Sequence, residues 1–239
     1  MKLDLARVKA LTFDVFGTVV DWRASIAREV RALAAARGFR VNPQRFADAW
    51  RAGYRPAMDR VARGELPWTK IDDLHRLILD QILEKFKIIT LSEDEKRDLN
   101  FAWHRLKPWP DSVKGLKRLK KKFTIATLSN GNVALLNNMA KHAGLPWDVI
   151  LSAEIFHHYK PDPEAYLGAA EMLGLKPAQV MMVAAHKDDL RHAAHQGLRT
   201  ALVLRPNEYG KGKHPDLSPE PAFDLNAKDF VDLAEQLGA

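Results

Sequence analysis

The chain enters on a largely apolar run over residues 8–13, interrupted by Lys9 and Thr12, that ends in Asp14 and turns at Val15-Phe16-Gly17-Thr18. An apolar run of strand length closed by a glycine turn predicts an interior parallel strand. From Trp22 the period lengthens to that of helices. Ile26, Val30 and Leu33 share one face as far as Arg37, and Gly38 stops the helix. Asn42-Pro43 offers an N-cap followed by a proline suited to the first helical position, with Phe46, Ala49, Trp50 and Tyr54 on the apolar face of a second helix. Residues 68–86 predict a third helix. Ser92 and Glu95 have the spacing of a capping box and open a fourth, which turns Leu99 and Trp103 inward.

Two prolines in Lys107-Pro108-Trp109-Pro110-Asp111 break this helical pattern, and beyond them strand and helix signals alternate. Strands are predicted at residues 123–128, 149–151, 180–184 and 200–204, the repeating order of a parallel sheet with crossover helices. The opening strand belongs with these. The pattern therefore predicts an α/β domain of residues 1–21 and 106–239, interrupted by an all-helical insertion of residues 22–105, with a crevice between the two. The Gly-, Pro- and Lys-containing residues 206–221 read as a surface loop before the last helix.

Composition narrows the partners. With 46% hydrophobic residues in 239, the chain can bury a substantial core. It has no cysteine, which excludes disulfides and thiolate sites. Met1-Lys2-Leu3-Asp4 lacks the apolar stretch of a signal peptide, and no run reaches the roughly 18 apolar residues of a membrane helix, so a cytoplasmic protein is expected. The net charge of +7 suits nucleic acid, a membrane surface or a small anion. Its densest basic segment, residues 114–122, carries Leu116, Leu119 and Phe123 at helical spacing, which reads as the solvated face of an amphipathic helix. No zinc-finger spacing, RNA-binding aromatic signature or basic tail is present. A small anionic substrate is expected, with neither nucleic acid nor membrane as partner.

Candidate chemistry lies at the strand ends. Ligands of open α/β sheets bind beyond the carboxyl ends of the strands, which is where Asp14 stands. Taken alone, Asp14 reads equally as a cap for the following turn. Ser129-Asn130-Gly131, Lys160-Pro161-Asp162 and Ala185-His186-Lys187-Asp188-Asp189 are three further polar loops. Each alone is a common turn or helix start. Their joint order carries more information.

In that order the four loops resemble the haloacid dehalogenase superfamily. The stretches Asp14-Val15-Phe16-Gly17-Thr18, Leu128-Ser129-Asn130-Gly131 and Tyr159-Lys160-Pro161-Asp162 resemble its type II (S)-2-haloacid dehalogenases, over nearly the whole chain. The resemblance implies a Rossmann-like parallel-sheet core with an inserted helical cap. It also implies hydrolytic dehalogenation of short 2-haloalkanoic acids. The Asp14 carboxylate displaces halide from the α-carbon to give an ester, and water then attacks the ester carbonyl. Lys160 would hold Asp14 ionised by charge pairing. Thr18 and Ser129 would hydrogen-bond the nucleophile or the substrate carboxylate, and Asn130 would lie near the departing halide. Arg51 resembles the cap arginine that takes the halide, and Tyr166 a tyrosine lining the site. Asp189 would hold Lys160 and help activate water, with Asp188 turned away. Similar enzymes are often homodimers, and no pattern here marks an interface.

Departures from the phosphatase branch sharpen the expectation. Phosphatases carry a general acid two residues after the nucleophile, because an alkoxide leaves poorly without a proton. Here that position is Phe16, against which a halide can leave unprotonated. Aligned on Asp189, Ala185 stands where a Mg²⁺ ligand would be. Neither metal nor cofactor is expected. Ala184-Ala185-His186 replaces the Ser and Asn residues of better-known haloacid dehalogenases, and His186 could donate to Asp14, orient water or titrate near neutrality. His157 and His158, adjacent on what reads as an extended segment, point to opposite sides and make a poor metal pair. The alternatives are a phosphatase and a non-catalytic binding protein that retains the fold.

Overall fold

The structure, a computed structural model, describes residues 7–210, 212 and 216–239. The first four residues, on which the signal-peptide reading falls, and residues 211 and 213–215 of the loop read at 206–221 lie outside the described residues. In chain order the elements begin with β1 (Ala10–Phe13) and β2 (Val20–Asp21). Four helices follow, α1 (Trp22–Arg37), α2 (Pro43–Ala62), α3 (Ile71–Lys85) and α4 (Glu93–Asn100). Then come β3 (Lys107–Pro108), α5 (Ser112–Leu119), β4 (Thr124–Ser129), α6 (Val133–Ala143), β5 (Val149–Ser152) and α7 (Ala153–Phe156). The chain ends with α8 (Pro163–Met172), β6 (Val180–Ala184), α9 (Lys187–His195), β7 (Arg199–Val203), β8 (Leu225–Ala227) and α10 (Phe230–Gln236).

Two compact units result, one from the described residues up to Asp21 with Lys107–Ala239, the other Trp22–Leu106. The first is a Rossmann-like α/β unit whose six parallel strands run in the order β5-β4-β1-β6-β7-β8. β1 lies inside the sheet between β4 and β6, and all four of its residues are buried. That position explains its largely apolar sequence, in which Thr12 is the single polar residue, because both faces and both edges are covered. Phe13 pairs with Thr127 on one side and Val183 on the other. The register therefore sets Asp14, Ser129 and Ala185 close together, each at or just past a carboxyl end.

β2 and β3 form a separate antiparallel pair, Val20 with Pro108 and Asp21 with Lys107, where the chain leaves this unit and returns to it. Two-residue strands carry no periodicity, so neither is visible in the sequence. β8 is the other strand the pattern does not predict.

The second unit is helical throughout its regular elements, and local chemistry sets its boundaries. The Asn42 side chain accepts from the Arg45 amide to cap α2, and Ser92 and Glu95 form the reciprocal capping box of α4. Its interior is aromatic. Trp22, Trp50 and Trp103 are fully buried, and Trp103 lies edge-on to Trp50 at 5.5 Å and stacked on His75 at 4.2 Å. Trp50 donates its indole N–H to the His75 carbonyl at 2.9 Å, which satisfies that buried polar group. Burial pushes the His75 imidazole down to about 3, so it is neutral. Among the described residues no helix is long and apolar enough to cross a membrane.

Candidate active site

The nucleophile turn is held by its backbone. Asp14 N–H bonds to the Val183 carbonyl at 3.0 Å, and the Val19 and Val20 amides both return to the Val15 carbonyl. Trp109 donates its indole N–H to the Gly17 carbonyl at 2.8 Å, Ser112 its hydroxyl to the Val19 carbonyl at 2.7 Å, and Arg205 its Nε–H to the Thr18 carbonyl at 2.7 Å. The Arg205 guanidinium is itself fixed by a two-pronged pair with Asp111 at 2.8 and 2.9 Å. Gly17 sits at φ +84°, and a Cβ there would fall 2.1 Å from Glu208 Oε1. Only glycine meets both conditions.

Asp14 is only 8% exposed, and each of its carboxylate oxygens has partners. Oδ1 accepts from Lys160 Nζ at 3.2 Å, and the same ammonium donates to Asp189 Oδ2 at 2.5 Å. The other Asp189 oxygen accepts from the Tyr166 hydroxyl at 2.7 Å. Oδ2 of Asp14 accepts from the Thr18 hydroxyl at 2.7 Å and lies 3.2 Å from His186 Nδ1. The Ala185 amide donates to Thr18 Oγ1 at 2.9 Å, which directs the Thr18 proton toward Asp14. On its far side His186 Nε2 lies 3.0 and 3.1 Å from the two oxygens of Glu208, a residue only 1% exposed.

These contacts set the charges. Burial opposes ionisation of Asp14, but the Lys160 charge and the bonds and charge of His186, with Thr18, outweigh it and hold the carboxyl well below its usual range. Lys160 pays the same burial penalty, and Asp14 with Asp189 more than offset it and raise its pKa. For His186 burial favours the neutral ring, yet Glu208 and Asp14 together push it up to about 10. Both ring nitrogens face carboxylates, which accept only, so both carry protons. Burial and then Asp189 raise the Tyr166 hydroxyl far above its ordinary value, so it stays a donor.

The structure thus brings Asp14, Thr18, Lys160, Asp189, Tyr166 and His186 into one hydrogen-bonded network. Ser129 is buried at the end of β4 and accepts from the Gly131 amide at 3.1 Å. Asn130 grips the Lys160 backbone from both ends of its amide, accepting from Lys160 N–H at 2.7 Å and donating to its carbonyl at 3.3 Å. Phe16 is buried with its ring against Gly131, where an added Cβ would come within 3.0 Å of it. Arg51 belongs to the helical unit, where its guanidinium lies over the Tyr54 ring at 4.4 Å and the Trp22 ring at 5.7 Å. Its Nη1 is buried without a hydrogen-bond partner among the described residues. Asp188 turns outward to Arg191.

The residues around Asp14 do not fit a divalent cation. Both carboxylate oxygens are engaged by cationic side chains, and position 185 is an alanine. His157 and His158 are not extended as their sequence suggests. His157 takes a left-handed φ of 53°, and His158 turns to Asp162 at 3.1 Å.

Sequence reasoning missed Glu208, Arg205, Asp111 and Trp109. Arg205 stands two residues past the end of β7, so the strand-end rule that singles out Asp14 also points to it.

A buried carboxylate just past the carboxyl end of an interior strand, flanked by a lysine from one loop and a hydroxyl from its own turn, defines a class. The chain belongs to the haloacid dehalogenase-like hydrolases, whose family model matches residues 8–195. Within that class its likeness runs to the 2-haloacid dehalogenases. It is 48% identical to the defluorinating L-2-haloacid dehalogenase Rha0230, over 97% of this chain and 96% of that one, with a TM-score of 0.94. It is 47% identical to the L-2-haloacid dehalogenase PA0810, over 97% and 99%, with a TM-score of 0.93. It is 28% identical over 216 residues to (S)-2-haloacid dehalogenase 1 of Pseudomonas sp. (strain CBS-3), covering 84% of this chain and 88% of that protein.

Proposed function

We propose that this protein hydrolyses short 2-haloalkanoic acids to 2-hydroxy acids and halide through an ester on Asp14. The observation that carries the reading is the Asp14 carboxylate itself, buried yet held ionised by Lys160, with apolar Phe16 two residues on. Burial strips the carboxylate of water and makes it a better nucleophile, while the lysine keeps it charged. No proton donor stands at Phe16, which suits a leaving group that departs as an anion.

Asp14 displaces halide at the α-carbon, and water cleaves the resulting ester at the Asp14 carbonyl carbon. Lys160 balances the charge of the nucleophile, and Asp189 takes the proton of the incoming water. The Ser129 hydroxyl is a donor offered to the substrate carboxylate. Asn130 fixes the lysine loop through its backbone. The helical unit is a cap in this reading. Arg51, with a buried N–H to spare, is its residue for the halide or the carboxylate.

Ion chromatography after incubation with chloro-, bromo- and fluoroacetate and with (S)-2-chloropropionate tests the reaction. Halide release that survives EDTA is expected, and Asp14→Asn lowers it by at least about 10³-fold. A folded Asp14→Asn protein that retains turnover removes the nucleophile assignment. Mg²⁺-dependent phosphate release with no halide from any haloacid replaces the reading with a phosphatase.

A further inference from the structure

We propose that His186 is a catalytic residue for the second half of this reaction and Glu208 its positioning residue, with Nδ1–H of the ring and the Thr18 hydroxyl forming an oxyanion hole at Asp14 Oδ2. The inference rests on the dehalogenase reading above and goes beyond it by dividing the work between the two Asp14 oxygens.

The geometry is unequal at the two atoms. Oδ2 faces two donors, Thr18 at 2.7 Å and His186 at 3.2 Å, whereas among the described residues Oδ1 faces Lys160 alone at 3.2 Å. An oxygen gripped by two donors is the poorer nucleophile, so Oδ1 attacks the α-carbon and the carbon–halogen bonding pair leaves with the halide. Oδ2 becomes the ester carbonyl oxygen and already lies against its donors.

When water adds to Cγ, one of its protons passes to Asp189 and the carbonyl π pair moves onto Oδ2. Thr18 and His186 then stabilise the charge where it forms. Collapse restores the carbonyl and breaks Cγ–Oδ1, and the alkoxide of the 2-hydroxy acid takes the proton back from Asp189. Asp14 retains the oxygen of water and loses the remaining proton to solvent.

Glu208 matters because the ester has no charge. On alkylation His186 loses the carboxylate on one side, and Glu208 on the other must keep the ring protonated and in place. The charged groups facing His186 are Glu208 and Asp14, with Lys160 and Asp189 beyond Asp14. The carboxylate of Glu208 also fills the space over Gly17, so it is locked to the turn that carries the nucleophile.

Rapid-quench assays with chloroacetate on Glu208→Gln and His186→Gln test this, using protein whose circular dichroism matches wild type. Both variants are expected to release one halide per site at close to the wild-type rate, then turn over about 10²-fold more slowly, the order expected for losing one such donor. Intact-mass spectrometry should find the carboxymethyl adduct accumulating. In Glu208→Gln, ester hydrolysis should fail as pH rises, and at lower pH than in wild type, because the ring loses its proton more easily. Burst and turnover slowed equally with no adduct overturn the proposal. So does hydrolysis in Glu208→Gln that fails toward acid pH, the mark of a base rather than a donor. Wild-type protein that turns over normally confines either failure to this proposal, whereas wild type that releases no halide overturns the dehalogenase reading beneath it.

Discussion

The two sides of Asp14 are built to one plan from different parts. On the Oδ1 side a cation, Lys160, stands between Asp14 and Asp189, and Tyr166 braces the outer carboxylate. On the Oδ2 side a cation, His186, stands between Asp14 and Glu208. The difference lies in the cation. A lysine begins charged at neutral pH and its two carboxylates only reinforce that, so its charge survives loss of either. An imidazole begins near 6.5 and depends on its carboxylates to stay charged. The lysine side is therefore a fixed charge, and the histidine side is one whose charge is maintained by its partners.

Breaking the lysine side should give the largest effect. Lys160→Met leaves Asp14 and Asp189 without the cation between them, which uncovers a buried negative charge at the nucleophile. Halide release should fall by more than about 10³-fold, and no burst should remain. Stability should fall by about 3–5 kcal/mol near neutrality, the range for removing one partner of a buried pair. The sign with pH is definite. Asp14 has a depressed pKa, so its contribution is present above the ordinary carboxylate value and is lost as pH falls through its folded value. The gap between wild type and variant in urea melts should narrow toward acid pH, and a gap that widens there contradicts the charge assignment.

The lysine side is also the side the sequence reveals. Asp14 follows a predicted strand directly, Asp189 lies in the first turn of the helix that follows another, and Lys160 stands in the recognisable turn Lys160-Pro161-Asp162. The helices of the insertion are equally plain, since Asn42 and Ser92 are caps with visible partners. Glu208 is hidden for a physical reason. It lies in a Gly-, Pro- and Lys-containing stretch that reads as a surface loop, and its burial depends on an approach to Gly17 and His186 that no local period encodes. Asn130 shows a related limit. The motif singles it out as a residue near the departing halide, and its two bonds to the Lys160 backbone emerge only in three dimensions.

Gly17 offers a way to disturb the histidine side without touching a charge. In Gly17→Ala the new methyl meets Glu208 at a distance no carbon and oxygen tolerate, and the φ of +84° adds strain of about 1 kcal/mol or more. A total loss of about 1–3 kcal/mol in urea unfolding is expected, with Glu208 displaced from His186. The variant should then reproduce the Glu208→Gln kinetics, halide burst retained and ester hydrolysis slowed. A loss of stability with burst and turnover both at wild-type values would separate the packing over Gly17 from the histidine.

The smallest effect should come from the matching position on the lysine side. Tyr166→Phe removes the hydroxyl that braces Asp189, as Glu208→Gln removes the charge that braces His186. A single buried hydrogen bond to a charged group contributes about 1.5–3 kcal/mol, and the part that reaches the chemistry is smaller because Lys160 still holds the other Asp189 oxygen. Turnover should fall about three- to tenfold. Because the Lys160 charge does not depend on Tyr166, burst and steady-state rates should fall together with no adduct in the mass spectrum. If Tyr166→Phe instead accumulates the ester, Asp189 requires its brace to accept the proton of water. Tyr166 would then serve ester hydrolysis through Asp189 as Glu208 serves it through His186, and the asymmetry between the two sides of Asp14 would lie in the first step alone.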